Sequence, residues 1–144
     1  MQKITGQVLK LFIANSETRN MDEVMSSELI LGGIVGDKYF GREDREILLT
    51  SLCGYELALA NNISMPFGTL GENILTDIDL KNLKIGDKLQ IGETIIEISM
   101  LCPVCTHLSS IKKELPKLIK DDRGIFGKVI QSGIVKIGDK VLFK

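Results

Sequence analysis

Short runs of β-branched and aromatic residues, separated by glycine-bearing turns, recur along the chain at hairpin spacing, and this pattern confines it to a mainly β architecture. Thr5–Ala14 (TGQVLKLFIA) reads as a first strand, Ser27–Leu31 as a short second one and Glu46–Thr50 as a third. Asp87–Ile91 and Thr94–Ser99 flank a Gly92-Glu93 turn, and Gly124–Gln131 and Val141–Phe143 complete the set. A total of about seven to nine short strands with few helices predicts a closed β-barrel, because closure hides the unpaired edges. Leu83-Lys84-Ile85-Gly86-Asp87-Lys88-Leu89 recurs as Val135-Lys136-Ile137-Gly138-Asp139-Lys140-Val141. Each copy places Gly-Asp between apolar residues, so two similar tight turns are expected at a barrel rim.

One or two short helices interrupt the strands. Leu52–Asn61 carries Leu52, Tyr55 and Leu59 at helical spacing, with Ser51 placed to cap its start and Asn61-Asn62 to end it. Cys53 falls within this helix and reads as packing. Ser110–Lys120 has apolar Ile111, Leu115, Leu118 and Ile119, but Pro116 limits it to one or two turns. No linker or low-complexity segment divides the chain, so a single domain over residues 1–144 is expected.

The net charge of −1 gives no basic footprint for nucleic acid. No apolar run approaches the roughly 20 residues that span a bilayer. The N-terminus lacks the apolar segment of a signal peptide. A cytoplasmic setting is therefore expected, without nucleic-acid or membrane partners. An odd number of cysteines argues against a disulfide framework and for free thiols, metal ligands or redox groups.

Two of the three cysteines and the only histidine lie in Leu101–Leu108 (LCPVCTHL). Glu93–Ser99 reads as a buried strand leading into this stretch, and Pro103 stops its ladder. The thiols thus sit where a core strand runs out into a loop. Several chemistries are open to them. Cys105 and His107 share a face of an extended segment, and such a pair can generate a nucleophilic thiolate. Cys102 and Cys105 have the spacing of a reversible disulfide. Cys102, Cys105 and His107, with Cys53 or a carboxylate, can bind zinc. The two cysteines can also simply fill the end of a strand. Two glycine-bearing loops, Gly32–Gly41 and Pro66–Ile74, allow close backbone approach to a ligand. Neither has the pattern of a nucleotide-binding loop.

With these pieces assembled, the sequence resembles a MOSC domain, the family named for the C-terminal domain of molybdenum-cofactor sulfurases. Gly33-Ile34-Val35-Gly36-Asp37-Lys38-Tyr39 is similar to the family's glycine-aspartate stretch, and Arg45–Leu49 to the arginine-led strand after it. Gly68-Thr69-Leu70-Gly71-Glu72-Asn73-Ile74 matches the Gly-Glu-Asn element. Ile85-Gly86-Asp87 and its hairpin fit, and Cys105 falls on the family's key cysteine. Arg123–Ile130 with Gly133 and Gly138-Asp139 resembles the closing strands. Tyr39 departs from a usual histidine, Cys102 stands near a usual arginine, and Val104 replaces the proline before the cysteine.

The resemblance implies a closed barrel of the MOSC, pyruvate-kinase-barrel-like type with a thiol at its mouth. It implies a molybdenum–pterin cofactor, or sulfur carried by the thiol from a sulfur donor protein. Reduction of N-hydroxylated compounds is a further family activity, and no pyridoxal phosphate is expected in this domain. Cys105 would be catalytic residue and metal ligand. Gly36, Asp37, Lys38, Arg45, Gly71, Glu72, Asn73, His107 and Arg123 would bind the cofactor. A non-catalytic binding module and a Cys-x-x-Cys thiol-redox protein are the competing expectations.

Overall fold

The computed structural model of the chain describes residues 3–18, 20–102 and 106–144, without the side chains at 3–5, 106 and 107. The strands are β1 (Lys3–Ala14), β2 (Met21–Val24), β3 (Ser26–Ile30), β4 (Gly33–Ile34) and β5 (Ile47–Ser51). Helix α1 (Leu52–Ala60) follows, then β6 (Ile74–Thr76), β7 (Lys88–Ile91) and β8 (Thr94–Leu101). A 3-10 helix (Thr106–Ser110) and the short α2 (Leu115–Leu118) precede β9 (Ile125–Gln131), β10 (Gly133–Lys136) and β11 (Lys140–Phe143).

Seven strands close a barrel in the order β11-β7-β8-β9-β5-β6-β1, shut by pairing of β1 with β11. The long β1 makes closure possible, since it pairs with β11 from Lys3 to Gln7, with β6 from Val8 to Leu11 and with β2 from Leu11 to Ala14. β5 and β6 run parallel, and α1 lies in the crossover between them. A small sheet, β10-β3-β4, adds Leu29, Ile34 and Val135 to the barrel core of Val8, Leu49, Ile74, Ile96 and Ile98. The expected mainly β barrel is thus the observed fold. None of the described helices is long and apolar enough to cross a membrane.

The repeated Gly-Asp turns are alike in detail. Asp87 N–H donates to Lys84 O at 2.9 Å and Lys84 N–H to Asp87 Oδ2 at 2.8 Å. The second copy matches, with Asp139 N–H to Lys136 O at 3.1 Å and Lys136 N–H to Asp139 Oδ2 at 2.8 Å. The turns feed β7 and β11, which pair with each other.

Ser51 caps α1 as expected, its Oγ accepting from Cys53 N–H at 3.1 Å. The buried face differs from the one the spacing indicated. Tyr55 is buried as expected, but Leu59 is 65% exposed, and Gly54 and Ala58 complete the buried face. The reason is close approach: a Cβ at Gly54 would lie 2.7 Å from Asp122 O, so the helix docks through its small residues. Tyr55 and Ala58 join Leu70, Leu75, Leu108, Leu115 and Ile119 in a second apolar cluster outside the barrel. Pro116 stands in the first turn of α2, where its missing N–H costs nothing.

Candidate functional site

A cleft of about 950 Å³ opens at one end of the barrel. Lys38 and Tyr39 from the first glycine loop line it, with Gly68, Thr69, Leu70, Gly71 and Asn73 from the second. Cys102, the residue after β8, lines it too, as do Arg45 and Arg123. The three stretches singled out in the sequence therefore contribute to one cleft. Cys105 lies outside the described residues, as does the side chain of His107.

The cleft is electropositive. Lys38, Arg45 and Arg123 line it, against the single carboxylate of Asp22 among the described residues. Arg123 is only 4% exposed although it faces this space. Two of the cations rest on aromatic faces, which fixes where they point. Arg45 Cζ lies 5.6 Å from the centre of the Phe126 ring and Lys38 Nζ 5.5 Å from that of Tyr39. Arg42 stacks on Tyr39 as well, at 5.6 Å.

The acidic and amide residues of the two motifs turn inward. Asp37 Oδ1 accepts from Ala14 N–H at 2.7 Å and from Asn73 Nδ2 at 3.0 Å, while its Oδ2 accepts from Tyr39 N–H at 3.1 Å. This carboxylate clamps the first glycine loop to the end of β1. Asn73 Oδ1 accepts from Leu48 N–H at 3.0 Å, and its Nδ2 also donates to Phe12 O at 3.2 Å, so one side chain ties β5 to β1. Glu72 is fully buried. Its Oε2 accepts from Tyr55 OH at 2.5 Å and from Thr50 Oγ1 at 3.1 Å. Of the residues the resemblance nominated for binding, Lys38, Arg45, Gly71, Asn73 and Arg123 line the cleft, whereas Gly36, Asp37 and Glu72 do not. Asp37 and Glu72 shape its walls from behind.

Phe67 of the second glycine loop and Phe126 of β9 also line the cleft, as do four residues not marked in the sequence, Asn15, Asn20, Met21 and Asp22 from the β1–β2 hairpin. No local signal identifies them, because the face a strand residue presents depends on register. Cys53 groups with Asp79 and Asp122, the three ligand atoms lying within 4.8 Å of one another. Lys81 Nζ stands 3.9 Å from Asp79 and 3.8 Å from Asp122 and supplies the countercharge there.

Burial, reinforced by the neighbouring Glu72 carboxylate that accepts its hydrogen bond, pushes the Tyr55 phenol far above its ordinary value. Above a pH of about 10 the unfolded chain loses this proton while the folded chain keeps it. Stability should therefore fall there by about 1.4 kcal/mol per pH unit from this group alone. Urea titrations between pH 9 and 11.5 should show that slope in the wild type and a shallower one in Tyr55→Phe. Parallel slopes would contradict the assignment.

A family model described as MOSC domain matches residues 36–142. Among solved structures, YuaD from Bacillus subtilis superposes with a TM-score of 0.80 at 20% identity, covering 99% of this chain and 97% of that one. YiiM from Escherichia coli gives a TM-score of 0.74 at 20% identity, over 99% of this chain and 70% of that one. YiiM from Geobacillus stearothermophilus gives 0.68 at 17% identity, over 100% and 75%. At these identities the likeness is one of fold. No curated protein sequence matches the chain.

Proposed function

The chain belongs to the MOSC domain family, which is linked to the molybdenum cofactor, and on that premise we propose that its cleft holds an anionic ligand of the molybdenum–pterin kind, with the Leu101–Leu108 loop supplying the working thiol. The observation that carries this reading is the meeting of Lys38, Arg45, the buried Arg123, the Gly68–Gly71 backbone and Cys102 in one cleft. The chemistry of this set suits such a group. Arginine and lysine pair with phosphate and oxyanion oxygens, and Arg123 does so from a position shielded from water. A glycine-lined wall lets backbone come close to a flat ligand. A thiolate is a soft ligand able to hold molybdenum and able to carry a persulfide sulfur.

In this reading Cys105 is the ligand or sulfur-carrying thiol, assisted by His107, and Lys38, Arg45 and Arg123 bind the anionic parts. The cofactor, when bound, supplies two-electron oxygen- or sulfur-atom chemistry, as in reduction of N-hydroxylated compounds. The residues of this chain bind and orient it. Asp37 and Glu72 act on the ligand only through the walls they brace, while Asn73 both braces a wall and lines the cleft. A sulfur donor protein would be the partner if the thiol carries persulfide.

The test is the molybdenum, pterin and persulfide content of protein purified from a host that makes the cofactor. Wild-type protein should carry one of these. Cys105→Ser should lose it, while Cys102→Ser should keep most of it. Equal loss from both variants would favour a disulfide or zinc centre. No molybdenum, pterin or persulfide in the wild type would favour a non-catalytic binding module.

A further inference from the structure

The second glycine loop lines the cleft, and its turns are closed by local bonds. Thr69 N–H donates to Pro66 O at 3.1 Å and Gly71 N–H to Gly68 O at 2.9 Å. Such bonds fix the shape of a turn but not its placement against the barrel. One side chain from α1 bonds the loop backbone directly. Tyr55 OH accepts from Gly68 N–H at 3.2 Å and from Leu70 N–H at 3.3 Å, and donates its own proton to Glu72 Oε2. Glu72 Oε2 in turn accepts from Thr50 Oγ1 in β5. The other carboxylate oxygen, Oε1, is buried with no partner among the described residues, so Oε2 takes all of the side chain's hydrogen bonds. The Tyr55 ring meets Phe67 edge-on, with centroids 5.1 Å apart at 86°. Phe67, Gly68, Thr69, Leu70 and Gly71 all line the cleft, and Tyr55 and Glu72 do not.

We propose that Tyr55 is the positioning residue of the cleft: its phenol oxygen, anchored on Glu72, holds the Gly68–Gly71 backbone where it meets an anionic ligand. The phenol oxygen and Glu72 Oε2 together thereby join α1, the loop and, through Thr50, β5. Because the phenol stays protonated, it remains a donor to Glu72 throughout the neutral range, and both of its lone pairs remain turned toward the loop amides. This inference rests on the ligand-binding reading of the cleft.

The experiment compares wild type, Tyr55→Phe and Glu72→Gln by amide exchange and by titration with inorganic phosphate, read from backbone amide signals. Tyr55→Phe keeps the ring and its contact with Phe67 but leaves Gly68 N–H and Leu70 N–H without their acceptor. Their exchange should rise about tenfold beyond any change in global stability, as expected for loss of a hydrogen bond of ordinary strength, and amides of the barrel core such as Leu75 should not follow. Phosphate affinity should weaken by about the same factor. Glu72→Gln retains an acceptor for the phenol O–H and should leave both readouts near wild type. A purely structural tyrosine would raise exchange everywhere in proportion to lost stability, and that outcome would overturn the inference whatever the ligand. Loop amides released with phosphate affinity unchanged would also overturn it. If the loop amides respond but the wild type binds neither phosphate nor cofactor, Tyr55 still holds the loop, and it is the ligand-binding reading that fails.

Discussion

Asn73→Ala should lower folding stability by about 3–5 kcal/mol, because it orphans buried groups on two strands at once. Leu48 N–H loses its acceptor and Phe12 O loses a donor, and each such buried group costs about 1–3 kcal/mol. Asp37 loses the amide that shares its Oδ1 with Ala14 N–H, which loosens the first glycine loop as well. Against a typical total of about 5–15 kcal/mol, such a loss leaves the chain close to unfolding. Urea denaturation should show a midpoint lower by about 2 M, for an ordinary slope of about 2 kcal/mol/M. Asn73→Asp keeps an acceptor for Leu48 N–H but sets a second carboxylate against Asp37. It should be at least as destabilised at neutral pH and partly recover under mild acid, where the pair can share a proton. A change below 1 kcal/mol in Asn73→Ala would show that the bridge between β1 and β5 contributes little.

Gly124→Ala should cost about 2–5 kcal/mol and damage the cleft more than its stability alone would explain. Gly124 has a φ of +122, a conformation that costs other residues roughly 1–3 kcal/mol. A Cβ there would also lie 2.7 Å from Leu49 O and 3.0 Å from Thr50 Cγ2, and β5 backbone cannot yield as a flexible side chain can. Relief requires the start of β9 to move away from β5. That movement carries Arg123, the preceding residue, and breaks the bond from Cys102 N–H to Gly124 O, 3.2 Å in the wild type. Both residues line the cleft. Gly36→Ala is the control, since Gly36 has a φ of +88 but open space around its Cβ. It should lose only the backbone cost of about 1–2 kcal/mol, with anion binding intact. Equal effects of the two substitutions on phosphate binding would refute this account.

The parts of the molecule legible in the sequence are those whose physics is local. Ser51 caps α1 through a bond two residues away, and the Gly-Asp turns are closed by bonds three residues long. The β7–β8 hairpin turns at Gly92-Glu93, with Ile91 opposite Thr94. The alternation of branched residues marked most strands. Four short strands escape this signal: β4 lies inside the first glycine loop, β6 begins at the end of the second, and β2 and β10 carry no such mark. A strand as short as Met21–Val24, with a burial pattern lacking alternation, exists because β1 offers it an edge.

What tertiary structure alone decided is where each polar motif residue points. The family resemblance nominated Asp37, Glu72 and Asn73 for ligand contacts. Yet Asp37 finds its donors on Ala14 and Asn73, Glu72 on Tyr55 and Thr50, and Asn73 on β5 with its acceptors on β1 and Asp37. Those partners stand 17 to 61 residues apart in the chain. A buried carboxylate must be met by donors, and which donors meet it depends on how distant strands are brought together. The same holds for Leu59, left exposed because α1 docks by Gly54, Tyr55 and Ala58, and for Arg123, whose burial no local pattern indicates. Spacing along the chain fixes contacts within a turn or two. The register of a closed barrel fixes the rest, and with it which side chains face the cleft.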